Sequence, residues 1–299
     1  MDGKRATSAS NAPKQSDSCF VSAILKQGWQ ADFLALKIAA MTVSNLIEPI
    51  TAQGGNVALE NAQSWMQGRT LYGGASALVA YTAAIRAFPD LPPLRAGQIG
   101  FVAPVGGEFE LSSEIVRQGR NVTQVRSEIV CEGKAALTTF WLFGTARESN
   151  GEHPSPLPLP DPGKPEEQRA ADSSRAPEFL RNNYDVHYTA ERRDAGEPVI
   201  RRWVRLKEPS GLDPISELIL MGDTLPPSAA RIMQRRGPIS SINWSFNLLN
   251  PKPETRDGWW LAETASDHAA EGYSSERLRL WNEQGKQMLS GIQSVAIFG

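Results

Sequence analysis

The run from Ala75 to Phe88 constrains the fold of this chain more than any other stretch. It is predicted to form a helix with almost no charge, since small and apolar side chains fill it up to the proline at position 89. A helix that is apolar on every face has to be buried on nearly all sides. Its small side chains also let a sheet approach closely. We therefore expect a sheet that wraps around this helix.

Strand signals follow the helix directly. Alternating and β-branched sequence predicts four strands, with turns at Gly106-Gly107, Gly119 and Glu132-Gly133-Lys134. The four predicted strands are 98–102, 109–117, 121–131 and 136–143. A buried helix followed by hairpins predicts an antiparallel sheet and an α+β fold class.

A second buried helix is predicted in the segment from Asp213 to Asp223. Asp213 has the side chain of a helix N-cap, Pro214 suits the first helical position, and the apolar run stops at Pro226-Pro227. Asp223 falls at the edge of the apolar stripe. A carboxylate beside an apolar face is costly unless something satisfies it, so Asp223 is either hydrogen-bonded scaffold or a working acid or base.

Strand signals surround the second helix as they follow the first. The predicted strands are 182–189, 199–206, 240–248, 259–265, 274–281 and 288–298. Two patterns repeat: Thr123-x-x-Arg126-x-x-Ile129 matches Ser274-x-x-Arg277-x-x-Leu280, and Gly133-Lys134-x-x-Leu137 matches Gly285-Lys286-x-x-Leu289. Together with the shared order of elements, these matches predict a duplicated unit. The first-half helix holds no Asp or Glu, so the fold itself does not require the carboxylate of Asp223.

The sequence divides into four segments. Residues 1–40 are predicted to be a disordered or helical N-terminal extension, and residues 41–147 to form the first unit. Residues 148–176 hold many prolines among charged and small side chains, which indicates a semi-rigid, exposed linker. Residues 177–299 are predicted to form the second unit, which carries Asp223.

Composition narrows the range of partners and sites. A formal net charge of -2 gives no general attraction to nucleic acid or to an anionic membrane. The segment 19–40 is interrupted by Lys26, Asp32 and Lys37, so we expect no membrane insertion. Cys19 and Cys131 offer neither a disulfide framework nor the ligand spacing of a metal site, so we expect no metal and a reducing, cytoplasmic location.

An ordered set of motifs carries a resemblance to a known family. In the first half these motifs are Gly73-Gly74, Phe101-Val102-Ala103-Pro104-Val105 and Val116-Arg117-Gln118-Gly119-Arg120-Asn121-Val122. In the second half they are Met221-Gly222-Asp223 with Leu225-Pro226, Ser240-Ser241-Ile242-Asn243-Trp244-Ser245-Phe246, and Ser290-Gly291-Ile292-Gln293. In this order, from about Leu46 to the C-terminus outside the linker, the chain resembles the acyl-CoA thioesterase II family. The resemblance implies a double hotdog fold, in which two tandem units each wrap an antiparallel sheet around a central helix.

The resemblance also implies an activity, the hydrolysis of a fatty or related acyl-CoA to the free acid and CoA without a cofactor. The family positions the attacking water with an Asp, a Thr or Ser and a Gln, which fall here on Asp223, Ser241 and Gln293. Two positions depart from the family pattern: Ser241 stands where Thr is common, and Asn243-Trp244 replaces an Asp-His pair. Serine makes the same hydrogen bonds as threonine. The lost pair bears more on substrate preference than on the chemistry.

These side chains suit thioester hydrolysis. A thiolate leaving group has a low pKa and needs little protonation, so a carboxylate and polar orienting groups suffice. Asp223 would orient and deprotonate water, while Ser241 and Gln293 would hold the water or the carboxylate in register. The duplication places Trp141 of the first half at the position of Gln293, and a buried amide in place of an aromatic ring requires partners.

Other residues are candidates for contacts with the substrate. The N–H groups of Gly73 and Gly74, at a helix N-terminus, could donate to an oxyanion or to phosphate; a tight turn with positive φ is the alternative. Trp244 could line an acyl tunnel or belong to the core. The arginines that could bind the CoA phosphates, or simply form a solvated face, are Arg117, Arg120, Arg126, Arg235 and Arg236.

Two other functions fit the same fold. A hotdog enoyl-CoA hydratase or dehydratase would need a histidine working with an acid, and His153, His187 and His268 all lie outside the two central helices. A non-catalytic acyl-CoA-binding module would need an inactive site, yet all three polar positions hold competent side chains. Because hotdog units usually pair, we also expect a homodimer or a higher homo-oligomer.

Overall fold

The computed structural model describes residues 42–60, 62–155, 161–190 and 196–298. The extension predicted over residues 1–40 lies outside the described residues. The boundaries predicted at residues 147 and 177 also stay predictions. None of the helices in the described ranges is both long and apolar enough to cross a membrane.

The first half of the chain contains a central helix with almost no charge and four long strands. Its elements are α1 (Val43–Ile47), β1 (Gly55–Ala58), β2 (Met66–Gln67), β3 (Thr70–Leu71), α2 (Gly73–Ala87), β4 (Leu94–Phe101), β5 (Glu108–Gln118), β6 (Val122–Cys131) and β7 (Lys134–Gly144). Helix α2 is the predicted apolar helix, and its residues from Gly74 to Ala84 are buried. The four predicted strands correspond to β4 through β7; β4, β5 and β7 are longer than the sequence pattern indicated, and β6 is one residue shorter.

The second half contains the other predicted helix and six strands. Its elements are α3 (Glu178–Asn183), β8 (Tyr184–His187), β9 (Val199–Leu206), α4 (Pro214–Gly222), β10 (Ile239–Leu248), β11 (Trp260–Ala270), β12 (Tyr273–Asn282) and β13 (Gln287–Ile297). Asp213 caps α4 as predicted, because its side chain accepts hydrogen bonds from the N–H groups of Ile215 and Ser216. The expected strand at 182–189 is shorter, since α3 occupies its first residues.

One antiparallel sheet joins the two halves. Among the described residues eleven strands form this sheet, in the order β1-β5-β6-β7-β4-β10-β13-β12-β11-β9-β8. Strands β4 and β10 pair at its centre, so each half contributes one side of the sheet. Strands β2 and β3 form a separate hairpin. Two central helices against one continuous antiparallel sheet confirm the α+β double hotdog fold.

The two central helices pack against each other in opposite directions. The N-terminal end of α2 meets the C-terminal end of α4, because a Cβ atom on Gly74 would lie 2.3 Å from the carbonyl oxygen of Leu220. At the other end, Tyr81 of α2 lies near the N-cap of α4. Burial, and secondarily the charge of Asp213, raises the pKa of Tyr81 above its ordinary range.

The two units have equivalent strand pairing, but at one pair of facing positions the tryptophan is on opposite strands. Trp141 of β7 lies opposite Gly97 of β4, and Gln293 of β13 lies opposite Trp244 of β10. The bulky indole thus stands on the last strand of the first unit, but on the first strand after the central helix in the second unit. A Cβ atom on Gly97 would lie 2.7 Å from the Trp141 ring, which explains the glycine. The exchange leaves an inward position free for the amide of Gln293.

The proline-rich segment is not wholly exposed, in contrast to the expected linker. Ala170 forms a β-bridge with His187, and Pro165 is buried. The indole N–H of Trp203 donates to the carbonyl oxygen of Gly163 at 3.1 Å. Trp203 belongs to a second apolar cluster, away from the main core, with Trp259, Leu261 and Trp281. Part of the segment packs here because exposed tryptophans would otherwise leave a large apolar patch in water.

Candidate active site

Asp223 is the residue that caps the C-terminal end of α4, where it faces a cavity of about 440 Å³. The cavity walls come from both halves of the chain. They are formed by the β2–β3 hairpin, the start of α2, the segment after β4, α3, the loop after α4 and the start of β10. The carboxyl group of Asp223 therefore lies where the two units meet, and residues of both units surround it.

Gln293 holds the carboxylate directly. Its Nε2 atom donates a hydrogen bond to Oδ1 of Asp223 at 2.8 Å. Gln293 lies on β13 and is only 3% exposed, so its amide needs an internal partner. The structure therefore brings together two of the three polar residues that the family resemblance had grouped, across 70 positions of sequence.

Burial makes Asp223 a weaker acid than an ordinary aspartic acid. Desolvation raises its pKa from 3.8 to about 7, and the hydrogen bond from Gln293 acts in the opposite direction. As a residue, Asp223 is only partly buried, because it opens onto the cavity, whereas its carboxyl group lies deep among protein atoms. A carboxyl with such a pKa is present in both protonation states near neutral pH, which suits a general base.

Gly73 lies against the second oxygen of this carboxyl group. A Cβ atom on Gly73 would lie 2.1 Å from Oδ2 of Asp223 and 2.9 Å from the Phe101 ring. Gly73 and Gly74 do not have positive φ, so the alternative of a left-handed tight turn is wrong. Close approach, not backbone conformation, is what requires glycine here.

The N-terminal end of α2 also offers backbone donors to the cavity. Within the described residues, the N–H groups of Gly73 and Gly74 donate no hydrogen bond. Gly73 lines the cavity, whereas Gly74 packs against Leu220 of α4 and does not line it. The first helical N–H groups lack intrahelical acceptors, so the one at Gly73 is open to a ligand.

Ser241 lines the same cavity as Asp223. In the described part of the chain, no hydrogen bond joins it to Asp223 or to Gln293. A β-bulge falls between Ser241 and Asn243 in the pairing of β10 with β13. The extra residue, Ile242, re-aims the strand at this point, and bulges are frequent beside active sites. A water molecule between Ser241 and Asp223 would complete the arrangement.

Trp244 is located in the core, not in the cavity wall. It is fully buried, and a Cβ atom on Gly222 would lie 2.6 Å from its ring. Its indole also packs closely against Gly291 of β13. The structure thus gives Trp244 a packing role, in which it supports the last turn of α4 just before Asp223. The substrate contact expected of it has no geometric support.

Two side chains that the sequence reasoning missed fix the same end of α4. Tyr72 donates a hydrogen bond to the carbonyl oxygen of Leu220 at 2.9 Å. The hydroxyl groups of Tyr72 and Tyr184 are 2.5 Å apart. Because Tyr72 has one hydroxyl proton, Tyr184 is the donor in this pair. Burial raises the pKa of both tyrosines, so they remain neutral and act as hydrogen-bond donors.

Glu276 is a second carboxylate that the sequence reasoning missed. It is 0% exposed and lies beside Gln293 in the pairing of β12 with β13. It accepts hydrogen bonds from the N–H groups of Ser228 and Ala229 and from the hydroxyl groups of Ser228 and Ser274. Four donors satisfy this buried charge, which anchors the loop that follows α4 and forms part of the cavity wall. Glu276 could have been found from the sequence, because it is a glutamate at an inward-facing position of a strand with alternating polarity.

The charged side chains around the cavity bear on metal binding and on phosphate binding. Within the described ranges, no group of three or more His, Cys, Asp and Glu side chains could hold a metal ion. None of the five arginines proposed from sequence for phosphate binding lines the cavity. Arg126, for example, pairs with Glu114 at 3.0 Å on the sheet.

Comparisons with known proteins agree with this architecture. The acyl-CoA thioesterase N-terminal domain family matches residues 61–144, and the acyl-CoA thioesterase C-terminal domain family matches residues 153–297. Together the two matches span most of the chain. No curated protein matches the sequence.

Solved structures share the fold at low sequence identity. A hot dog fold protein of unknown function from Alicyclobacillus acidocaldarius has a TM-score of 0.75 and 18% identity, covering 86% of this chain and 98% of its own. The acyl-CoA thioesterase II TesB2 from Mycobacterium marinum has a TM-score of 0.68 and 15% identity, covering 85% and 97%. A tesB protein from Mycobacterium avium subs. paratuberculosis has a TM-score of 0.69 and 14% identity, covering 86% and 98%.

The raised pKa of Asp223 predicts a pH-dependent cost to stability. Between about pH 4 and pH 7 the unfolded chain ionises this carboxyl first, so the cost to the folded protein grows over that range and then levels off. Asp223→Asn removes the cost. Its melting temperature should therefore exceed that of the wild type by more at about pH 8 than at about pH 4. Asp90→Asn, at an exposed turn residue, is the control. A difference that does not change with pH would contradict the assignment.

The contact at Gly73 predicts a local effect of a single methyl group. In Gly73→Ala the new Cβ overlaps Oδ2 of Asp223, so the carboxyl must move and its hydrogen bond to Gln293 should weaken. We expect a loss of roughly 1–3 kcal/mol in the free energy of unfolding and a shift of the Gln293 side-chain amide signal in NMR spectra. Gly106→Ala is the matched control, because a Cβ there meets nothing within 4 Å. An unchanged amide signal in Gly73→Ala would show that the contact is not tight.

Proposed function

Because this chain belongs to the acyl-CoA thioesterase family and is a thioester hydrolase, we propose that Asp223, Ser241 and Gln293 form its catalytic site for a fatty or related acyl-CoA. The observation that carries the proposal is the hydrogen bond from Gln293 to Asp223 at the wall of a cavity. It holds one carboxyl oxygen and leaves the other, Oδ2, to act on water. No cofactor enters the proposed reaction.

The proposed first step is attack by water. The ionised Asp223 accepts a proton from the water at Oδ2 while the water oxygen bonds to the thioester carbon. The π electrons of the carbonyl move to its oxygen, which becomes an oxyanion. A pKa of about 7 lets Asp223 take this proton near neutral pH and release it afterwards. The hydroxyl of Ser241, on the same cavity wall, orients the water.

Backbone N–H at the start of α2 supplies the stabilising donor in this proposal. Gly73 lines the cavity, and its N–H has no acceptor among the described residues. The positive end of the helix dipole lies at the same place. An oxyanion at this position gains a fixed donor without reorganisation of the protein. Gly74 has a different role: it does not reach the cavity, and its lack of a side chain allows the two helices to approach.

The second step releases the products. The oxyanion re-forms the carbonyl and the carbon–sulfur bond breaks, with the electron pair leaving on sulfur. The thiolate is a good leaving group, and the proton held by Asp223 passes to the thiolate or to solvent. One water and one thioester thus give one free acid and one CoA, and Asp223 returns to its starting state. We place this reaction in cytoplasmic lipid metabolism.

The geometry favours hydrolysis over hydration of an enoyl-CoA. None of the residues that the structure describes along the cavity wall is a histidine, and hydration would need one working with an acid. A purely binding module would not need a carboxyl with a pKa near neutrality beside an ordered amide.

The proposed site predicts graded losses of activity. Asp223→Asn should lower kcat by roughly 10²–10⁴-fold, because it removes the base but keeps the shape of the side chain. Gln293→Ala should lower kcat less, and Ser241→Ala less again, whereas Ser241→Thr should remain active because the hydroxyl is kept. The measurement is steady-state thiol release from a panel of acyl-CoA substrates. In the wild type, kcat/KM should rise with pH and level off above about pH 7.

A neighbouring serine provides the control for these variants. Ser240 also lines the cavity but is exposed on the opposite side of the strand from Ser241, so Ser240→Ala should retain wild-type kcat. Folding of each variant is checked by its melting temperature. Full turnover in folded Asp223→Asn would overturn the catalytic assignment, and no hydrolysis of any acyl-CoA by the wild type would overturn the proposed function.

We also propose that the protein forms a homodimer through the outer face of the central strands. Phe140 of β7 and Ile292 of β13 point outward and are 45% and 60% exposed. Gln98 and Ser245 lie between them in register, so the four positions form one row across the sheet. The row is nearly symmetric about the centre of the sheet, which suits a two-fold contact with a second copy.

The dimer proposal predicts a change of mass in solution. Phe140→Glu combined with Ile292→Glu should convert the dimer to a monomer, because two like charges would meet across the two-fold contact. Light scattering after size-exclusion chromatography measures the mass. The matched control is Val116→Glu, an exposed apolar position near the end of β5. A monomeric wild type, or a double variant that keeps its dimeric mass, would contradict this interface.

A further inference from the structure

Arg69 occupies a position at the cavity that the catalytic proposal does not use. It lies at the tip of the β2–β3 hairpin, after Gly68, which has a φ of 67° as the tight turn requires. The Arg69 side chain is exposed to solvent and lines the cavity that holds Asp223. It therefore stands where a ligand would pass from solvent toward the carboxyl group.

The hairpin that carries Arg69 is held in place at its base. The hydroxyl of Thr70 accepts a hydrogen bond from the N–H of Val105 at 3.0 Å. The N–H of Leu71 donates to the carbonyl oxygen of Val105 at 2.8 Å. These bonds attach the hairpin to the segment after β4, which forms another part of the cavity wall. The position of the cation at the mouth is thus set by the fold, although its side chain is long.

The charge distribution in the cavity is simple. Of the described residues that line it, only Arg69 and Asp223 carry charge. Arg69 has no ion pair and no side-chain hydrogen bond within the described part of the chain. The guanidinium of an arginine normally forms hydrogen bonds to a carboxylate or to water, and its planar geometry matches phosphate oxygens particularly well. A partnerless guanidinium at the rim points to an anionic part of the ligand.

We propose that Arg69 binds the phosphate groups of the CoA moiety. This inference rests on the proposed function, because it assumes that the thioester reaches Asp223 through this cavity. The thioester then lies deep, beside Asp223, and the phosphates of the carrier lie at the solvent end. Arg69 is a binding residue in this arrangement and takes no part in the chemical step.

The competing arginines make this assignment specific. Arg117, Arg120 and Arg126 lie on or between β5 and β6, and none of them lines the cavity. Arg120 is the closest match to Arg69, since it too is an exposed arginine at a hairpin tip. It offers a control variant with the same chemistry and exposure at a different place.

Binding of free CoA tests the proposal without requiring catalysis. Isothermal titration calorimetry compares CoA with pantetheine, which lacks every phosphate. Arg69→Ala should raise the Kd for CoA roughly tenfold, the effect expected for loss of a charge-assisted contact, and leave the Kd for pantetheine unchanged. Arg69→Lys should recover part of the affinity, since it keeps the charge but not the fork. Arg120→Ala should bind both compounds like the wild type.

Hydrolysis provides the second measurement. With octanoyl-CoA as substrate, Arg69→Ala should raise KM with little change in kcat, whereas with octanoyl-pantetheine both constants should match those of the wild type. Added salt should raise KM for octanoyl-CoA in the wild type and have less effect in Arg69→Ala, because it screens the contact.

The outcomes separate the two proposals. Equal CoA affinity in Arg69→Ala and wild type would overturn the phosphate contact while leaving the hydrolase intact. Equal loss of affinity for CoA and for pantetheine would also overturn it, since a phosphate contact cannot affect a ligand without phosphate. A wild type that binds CoA through Arg69 but hydrolyses no thioester would overturn only the proposed function.

Discussion

The contact between the two central helices is the constraint on which the rest of the site depends. The start of α2 and the end of α4 approach so closely that no side chain fits between them at Gly73 and Gly74. This approach buries the carboxyl of Asp223 and raises its pKa to about 7. It also places Gly73, the first residue of α2, against the same carboxyl. The proposed base and the proposed oxyanion donor therefore both depend on one packing contact.

The two units differ at one pair of inward positions, and this difference leaves room for Gln293. The first unit fills its inward position on the last strand with Trp141, against Gly97. In the second unit the tryptophan is at position 244, on the first strand after α4, and Gln293 stands at the position that Trp141 has in the first unit. The indole still supports the end of the helix, now through Gly222. One unit thus remains a packed scaffold, while the other presents a polar group to the carboxylate.

Much of the fold could be predicted from periodicity and capping. Asp213 and Pro214 predicted where α4 begins, and the nearly uncharged run from Ala75 to Phe88 predicted a buried helix. Local patterns succeeded here because helix caps and alternating strands depend on neighbouring residues. They failed for α3 and for the proline-rich segment. Both depend on apolar surfaces of distant strands, such as the one at Trp203, that no local window contains.

The sequence by itself determined the two helices, the duplicated strands and the three polar positions 223, 241 and 293, because each belongs to a local pattern or to an ordered family motif. Only the tertiary structure decided that Gln293 reaches Asp223, that Gly73 is a spacer and not a turn, and that Trp244 belongs to the core. It also decided the pKa of Asp223. These properties depend on burial and on distances between residues that are far apart in the chain. Neither quantity can be derived from local sequence patterns.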